Sequence, residues 1–160
     1  HVESLVRQHR RFAAEGSKDA RILQHMSAVG HFEFGLNRKP VHLGDDERIQ
    51  EITVAWEKGE DVRGFALYWD MTYRFIYNQM ITNKTLGKAC LVVPFENLCD
   101  TPVDTLRHIL EHAVLTAQDE WIENSAKQIS KPDYYTSSLS EAERDMIRTV
   151  CKDTSALYGY

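Results

Sequence analysis

Positive charge is what this sequence has too little of to serve one whole class of partners. Its 160 residues include 19 lysines and arginines against 24 aspartates and glutamates, a net charge of −5. The acids are spread along the chain, and a protein that neutralises phosphate backbones needs a basic field, so nucleic acid is excluded as a dedicated partner. A local site for a small anion is not excluded. No apolar run approaches the ~20 residues that span a bilayer, and no signal peptide opens the chain. The three cysteines, Cys90, Cys99 and Cys151, are odd in number and lack CxxC spacing. They read as small buried residues in a reducing, cytoplasmic compartment rather than as a disulfide framework or a zinc site.

Several catalytic signatures are also missing. No GxSxG elbow is present, which removes a Ser-His-Asp hydrolase of that type. Gly87-Lys88 invites a phosphate-loop reading, but position 82 is Thr, position 89 is Ala, and the apolar run follows the pair instead of preceding it. His108-Ile-Leu-Glu111-His112 sets two imidazoles at i and i+4, the HxxEH spacing of one metallopeptidase class. The apolar face of that helix lies elsewhere and no third ligand follows, so the pair reads as a solvated polar face and no metal is expected.

What is present is an ordinary globular balance, 42% apolar and 27% charged, at a length that suits one domain with a sizeable core. Residues 1–15 read as a helix with Val2, Leu5, Val6, Phe12 and Ala13 on one side, and a short helix follows over 20–29. HFEFGLNRKPVHLGD mixes strand-like alternation of Phe32, Phe34 and Leu36 with the loop residues Gly35, Asn37 and Pro40. Asp45 or Asp46 caps a helix through Ile49, Ile52 and Trp56 that stops at Gly59. The longest pattern, VRGFALYWDMTYRFIYNQM, sets Val62, Phe65, Ala66, Trp69, Tyr73, Ile76 and Met80 on one face. Leu67, Met71, Phe75 and Tyr77 lie on others, so more than one neighbour covers this helix.

KACLVV, residues 88–93, reads as a strand buried on both faces, as in a parallel sheet flanked by helices. Pro94 ends it. Thr101 is the expected cap of a helix with Pro102 at its first position and Asp104 in the capping-box place, carrying Val103, Leu106, Ile109, Leu110 and Ala113 inward. A shorter helix around 118–126 leads to the loop KQISKPDYYTSS. The last helix starts at a Ser140–Glu143 capping box and buries Met146, Ile147, Val150 and Leu157. A doubly buried strand needs partners, because each unpaired buried backbone group costs roughly 1–3 kcal/mol. No second central strand is evident, and the chain opens already inside an amphipathic pattern. The expectation is an α/β fold whose remaining strands lie upstream of residue 1.

LVVPFENLCDTPVDTLRHILEHAVL then resembles a segment of the PAPS-dependent sulfotransferases (PAPS is 3′-phosphoadenosine 5′-phosphosulfate). There a late strand ends in [Tyr/Phe]-Glu-x-Leu, followed by a turn and a helix of the type x-x-x-Leu-x-x-Ile. Phe95, Glu96 and Leu98, then Pro102, Leu106 and Ile109, fit in order. VRGFALYWDMTYRFIYNQM is similar to the family's Trp-centred helix, with Trp69 in that slot. SLSEAERDMIRTVCKDTSALYGY resembles the closing helix and Gly-Tyr terminus of bacterial members. The resemblance implies a P-loop-like fold of which residues 1–160 are the C-terminal portion, and transfer of a sulfuryl group from PAPS to a hydroxyl or amine of a small-molecule or glycan acceptor.

It also implies roles for particular residues. HVES matches the end of the family's 3′-phosphate segment, Arg-Asx-x-[Arg/Lys]-x-x-x-x-Ser, which puts Ser4 on the nucleotide's 3′-phosphate. The phosphosulfate loop, its lysine and the catalytic base are then expected upstream of His1. KQISKPDYYTSS stands where family members close over the nucleotide, so Ser130 and Lys131 are its candidate 3′-phosphate contacts. The Arg-Lys-Gly signature of the animal cytosolic enzymes is absent, and a solvated loop is the alternative there. The rival reading of the whole chain is a non-catalytic helical interaction domain in which FENL and the next helix are only packing.

Overall fold

The structure, a computed structural model, describes residues 1–131 and 136–160. These residues form nine helices and no strand: α1 (Val2–Gly16), α2 (Ala20–Ala28), α3 (Asp46–Glu57), α4 (Asp61–Thr82), α5 (Lys84–Ala89), α6 (Phe95–Asp100), α7 (Pro102–His112), α8 (Asp119–Ala126) and α9 (Glu141–Leu157). The α/β class with its parallel sheet is thus corrected to an all-helical one. The chain divides into two compact units, the first His1–Tyr77 with Ser137–Tyr160 and the second Asn78–Thr136.

In the first unit, local chemistry starts the helices where the sequence signals them. Asp45 accepts from Arg48 N at 3.0 Å to open α3, and Asp19 does the same for α2 through Arg21 N at 2.9 Å. Ser140 and Glu143 form the reciprocal cap expected for α9. The core gathers on α4: Phe65 and Ala66 are fully buried, and Val62, Trp69, Leu67 and Met71 are nearly so. Burial of Leu67 and Met71 beside the Phe65 face agrees with a helix covered from more than one side. The expected face fades beyond Tyr73, since Ile76 is 42% exposed. Phe34 packs on Phe65 with centroids 6.0 Å apart, and Trp56 lies 5.1 Å from the same ring. Gly64 permits this approach, because a Cβ there would stand 2.3 Å from Trp56 Cδ1.

In the second unit the strand expected over 88–93 is not formed. Asn83 Oδ1 accepts from Thr85 N and Leu86 N, both at 3.1 Å, and starts α5 immediately upstream. That helix takes Lys88 and Ala89, both good helix formers, out of the apolar run. Cys90 is extended (φ −100°, ψ 134°), but a ladder needs a second strand and the described residues hold none. Pro102 does open α7, whereas the cap expected from Thr101 is absent. Its hydroxyl instead donates backwards to Asn97 O at 3.1 Å, at the end of α6. Val103, Leu106, Ile109 and Leu110 are half-buried and Ala113 is exposed. Leu157 of α9, expected inside, is also exposed in the first unit, where Cys151 and Thr154 take the buried places.

Candidate functional site

α1 presents two faces with different tasks. Val2 and Val6, one turn apart, are buried and tie the helix into the core. Ser4 is exposed, and its hydroxyl makes no hydrogen bond among the described residues. Glu3 beside it is the residue with partners. Its Oε1 accepts from Arg7 Nη2 at 2.8 Å, from Ser138 N at 2.8 Å and from Ser138 Oγ at 3.2 Å. Its Oε2 accepts from Ser137 Oγ at 2.9 Å. Burial alone would push this carboxyl up; hydrogen bonds from Ser138 N–H, Arg7 and Ser137 outweigh it and hold the group at about 2.

The segment that brings these donors is anchored at its far end. Leu139 is buried, its carbonyl accepts from Arg144 Nη1 at 2.7 Å, and Ser140 opens α9. Residues 137–138 are the end of the loop KQISKPDYYTSS, whose residues 132–135 lie outside the described ones. The last residues of that loop therefore meet the turn of α1 that carries Ser4. Ser130 and Lys131 belong to the second unit. Ser130 is exposed, and Lys131 is exposed and ion-paired with Asp100, with Glu96 close enough to be felt. An anion at Lys131 has to compete with both acids.

Trp69 is a core residue, stacked on Tyr73 with centroids 4.6 Å apart. His1 meets the edges of both rings, and Tyr158 from the end of α9 donates its hydroxyl to Tyr73 O at 2.8 Å. Two polar nodes are buried nearby in the same unit. Asp70 accepts from Thr154 Oγ1 at 2.5 Å and faces Arg74 and Arg48 at 3.2 and 3.5 Å, which ties α3, α4 and α9 together. His9 lies 3.9 Å from Asp61, whose Oδ1 accepts from Arg38 Nη2 at 2.8 Å. Burial first, then the Arg38 charge, pushes the His9 imidazole down to about 4, against an opposing pull from Asp61. The Asp70 node is consumed in holding helices together; in the His9 node, His9 Nδ1 and Arg38 Nη1 are buried with no hydrogen-bond partner among the described residues.

His108, Glu111 and His112 are exposed on α7, and the His112 ring stands 3.2 Å from Ala89 O. Among the described residues no group of three or more His, Cys, Asp or Glu side chains is placed to hold a metal ion. An open depression of about 580 Å³ beside α3 is lined by Asp46, Glu47, Gln50, Glu51, Val54 and Arg63, and its three acids oppose an anion. Among the described residues no helix is long and apolar enough to cross a membrane.

Comparison with protein families, with curated proteins and with solved structures finds no match. The sequence points to Ser4 but misses Glu3, Ser137 and Ser138 as a group. Their partnership spans 135 residues of chain and leaves no local periodicity to read. The resemblance names Ser130 and Lys131 in the closing loop and gives no role to Ser137 or Ser138 at its end.

Proposed function

We propose that this chain serves a PAPS-dependent sulfotransferase and contributes the part that grips the 3′-phosphate end of the nucleotide. The observation that carries the reading is the meeting of residues 137–138 with the first turn of α1 through Glu3. The resemblance assigns Ser4 on the first segment to the 3′-phosphate; the second segment is the end of the closing loop, whose assigned contacts, Ser130 and Lys131, lie earlier in it. The Trp69 helix and the closing helix, two further pieces of the resemblance, also pack on each other, through Tyr158 and Tyr73 and through Thr154 and Asp70.

In this reading Ser4 donates its hydroxyl to the 3′-phosphate, and a charged acceptor strengthens that bond. An acceptor hydroxyl or amine attacks sulfur, the sulfur–oxygen bond to the nucleotide breaks, and adenosine 3′,5′-bisphosphate leaves. As in phosphoryl transfer, catalysis is mostly in-line positioning and charge neutralisation. No residue of this sequence is assigned the role of catalytic base. The reading puts the protein in the cytoplasm, where its three free cysteines stay reduced.

Ser4→Ala tests it. Loss of one hydrogen bond to a charged group, about 1–2 kcal/mol, should weaken adenosine 3′,5′-bisphosphate by roughly five- to thirtyfold in calorimetric titration. Adenosine 5′-monophosphate, which lacks the 3′-phosphate, should bind the variant and the parent alike. Equal weakening of both ligands would sink the assignment of Ser4. A non-catalytic interaction domain is the second reading, and one observation favours it. In the second unit only Ile122 and Ala126 are buried apolar residues among those described, while Ile81, Phe95, Val114, Leu115 and Trp121 are more than half exposed. Absence of any adenosine 3′,5′-bisphosphate binding would favour this second reading.

A further inference from the structure

We propose that Arg7, Ser137 and Ser138 form an oxyanion cradle that Glu3 occupies as a built-in competitor, so that a phosphate or sulfate group binds by displacing the Glu3 carboxylate. The inference rests on the nucleotide reading for the identity of the natural ligand, but the cradle stands on its own geometry. Four hydrogen bonds of 2.8–3.2 Å converge on the two oxygens of one half-exposed carboxylate. The donors are a guanidinium, two hydroxyls and a backbone N–H, the set that also suits a tetrahedral oxyanion.

The carboxylate is an internal stand-in for such an anion. It satisfies Oε1 three times over and leaves Oε2 with a single partner, whereas a phosphate or sulfate brings further oxygens to the same donors. The Glu3 side chain is already 22% exposed, so it can swing into water without opening the core that Val2 and Val6 fill. Nor does displacement unclamp the chain. The ligand takes over the bridge between α1 and residues 137–138 while Leu139 and the Ser140–Glu143 cap keep their own contacts. Glu143 is the other acid that feels Glu3; it is bonded to Ser140 and also feels Arg10, whose charge offsets it. The arrangement makes the site selective by competition, because a weakly held anion cannot expel a carboxylate from donors that stabilise it so strongly.

The probe is inorganic sulfate at constant ionic strength, with chloride as the balancing salt. Glu3→Gln removes the competing charge and should raise sulfate affinity about tenfold or more, the scale of one charge-assisted contact. Adding Ser138→Ala, which removes one hydroxyl donor and keeps the N–H, should reduce the gain. In the parent protein, sulfate should shift the Ser138 amide resonance where chloride does not, a readout that needs no variant to fold. Unchanged sulfate affinity in Glu3→Gln, or a Ser138 amide indifferent to sulfate, overturns the proposal. A lost sulfate effect with adenosine 3′,5′-bisphosphate binding intact sinks the cradle alone. The sulfate gain without nucleotide binding sinks the sulfotransferase reading alone.

Discussion

His9 shows how one side chain can set the response of the fold to acid. It is buried against Phe65, with Arg38 and Arg10 opposing its protonation and Asp61 favouring it. With a folded value of about 4 against 6.5 when free, the unfolded chain binds more protons between those limits. Stability from this group is complete above pH 6.5 and is lost as pH falls towards 4, a change of about 3 kcal/mol. Equilibrium denaturation across that window should show the slope, and His9→Phe should flatten it. An unaltered slope in the variant would contradict the assignment. Helical spacing puts His9 on the side of Val2 and Val6, but says nothing of the charges around it. The charges that act on it, Arg38 and Asp61, are far away in sequence.

Among the elements, those with caps and clear periodicity were legible: α1, α2, α3, α4 and α9 lie close to where the residues put them. The misreading was at 88–93, and its cause is physical. An unbroken apolar run fits a buried strand or part of a helix equally, and periodicity does not separate them. Asn83 tips the balance from outside the run, by capping Thr85 N and Leu86 N. Asn83→Ala should therefore cost α5 about 1 kcal/mol and speed amide exchange over residues 86–89 several-fold. Exchange rates untouched by that substitution would mean that these residues are not held as a helix. Thr101 failed as a cap for a related reason, because the adjoining end of α6 offers its hydroxyl a carbonyl first. Capping signals read one helix at a time cannot anticipate two helices that abut.

For the molecule as a whole, the division of burial is the main fact. The first unit has a continuous aromatic and aliphatic core from Val2 to Cys151, and the candidate site sits on its surface. Ser4 is proposed from its place in a motif, and it lies exposed on the first turn of α1. Glu3 with Ser137 and Ser138 was not legible, since only the folded chain brings residue 3 to residue 138. Lys131 was legible as a cation but is committed to Asp100 in the second unit. The central claim is that the first turn of α1 and residues 137–138 together receive the 3′-phosphate. A crystal structure of the protein with adenosine 3′,5′-bisphosphate tests it most directly. The account predicts the 3′-phosphate within hydrogen-bond distance of Ser4 Oγ and Ser138 N, with the Glu3 carboxylate turned out to solvent; a nucleotide bound elsewhere, or Glu3 still seated on Ser137 and Ser138 beside it, would contradict it.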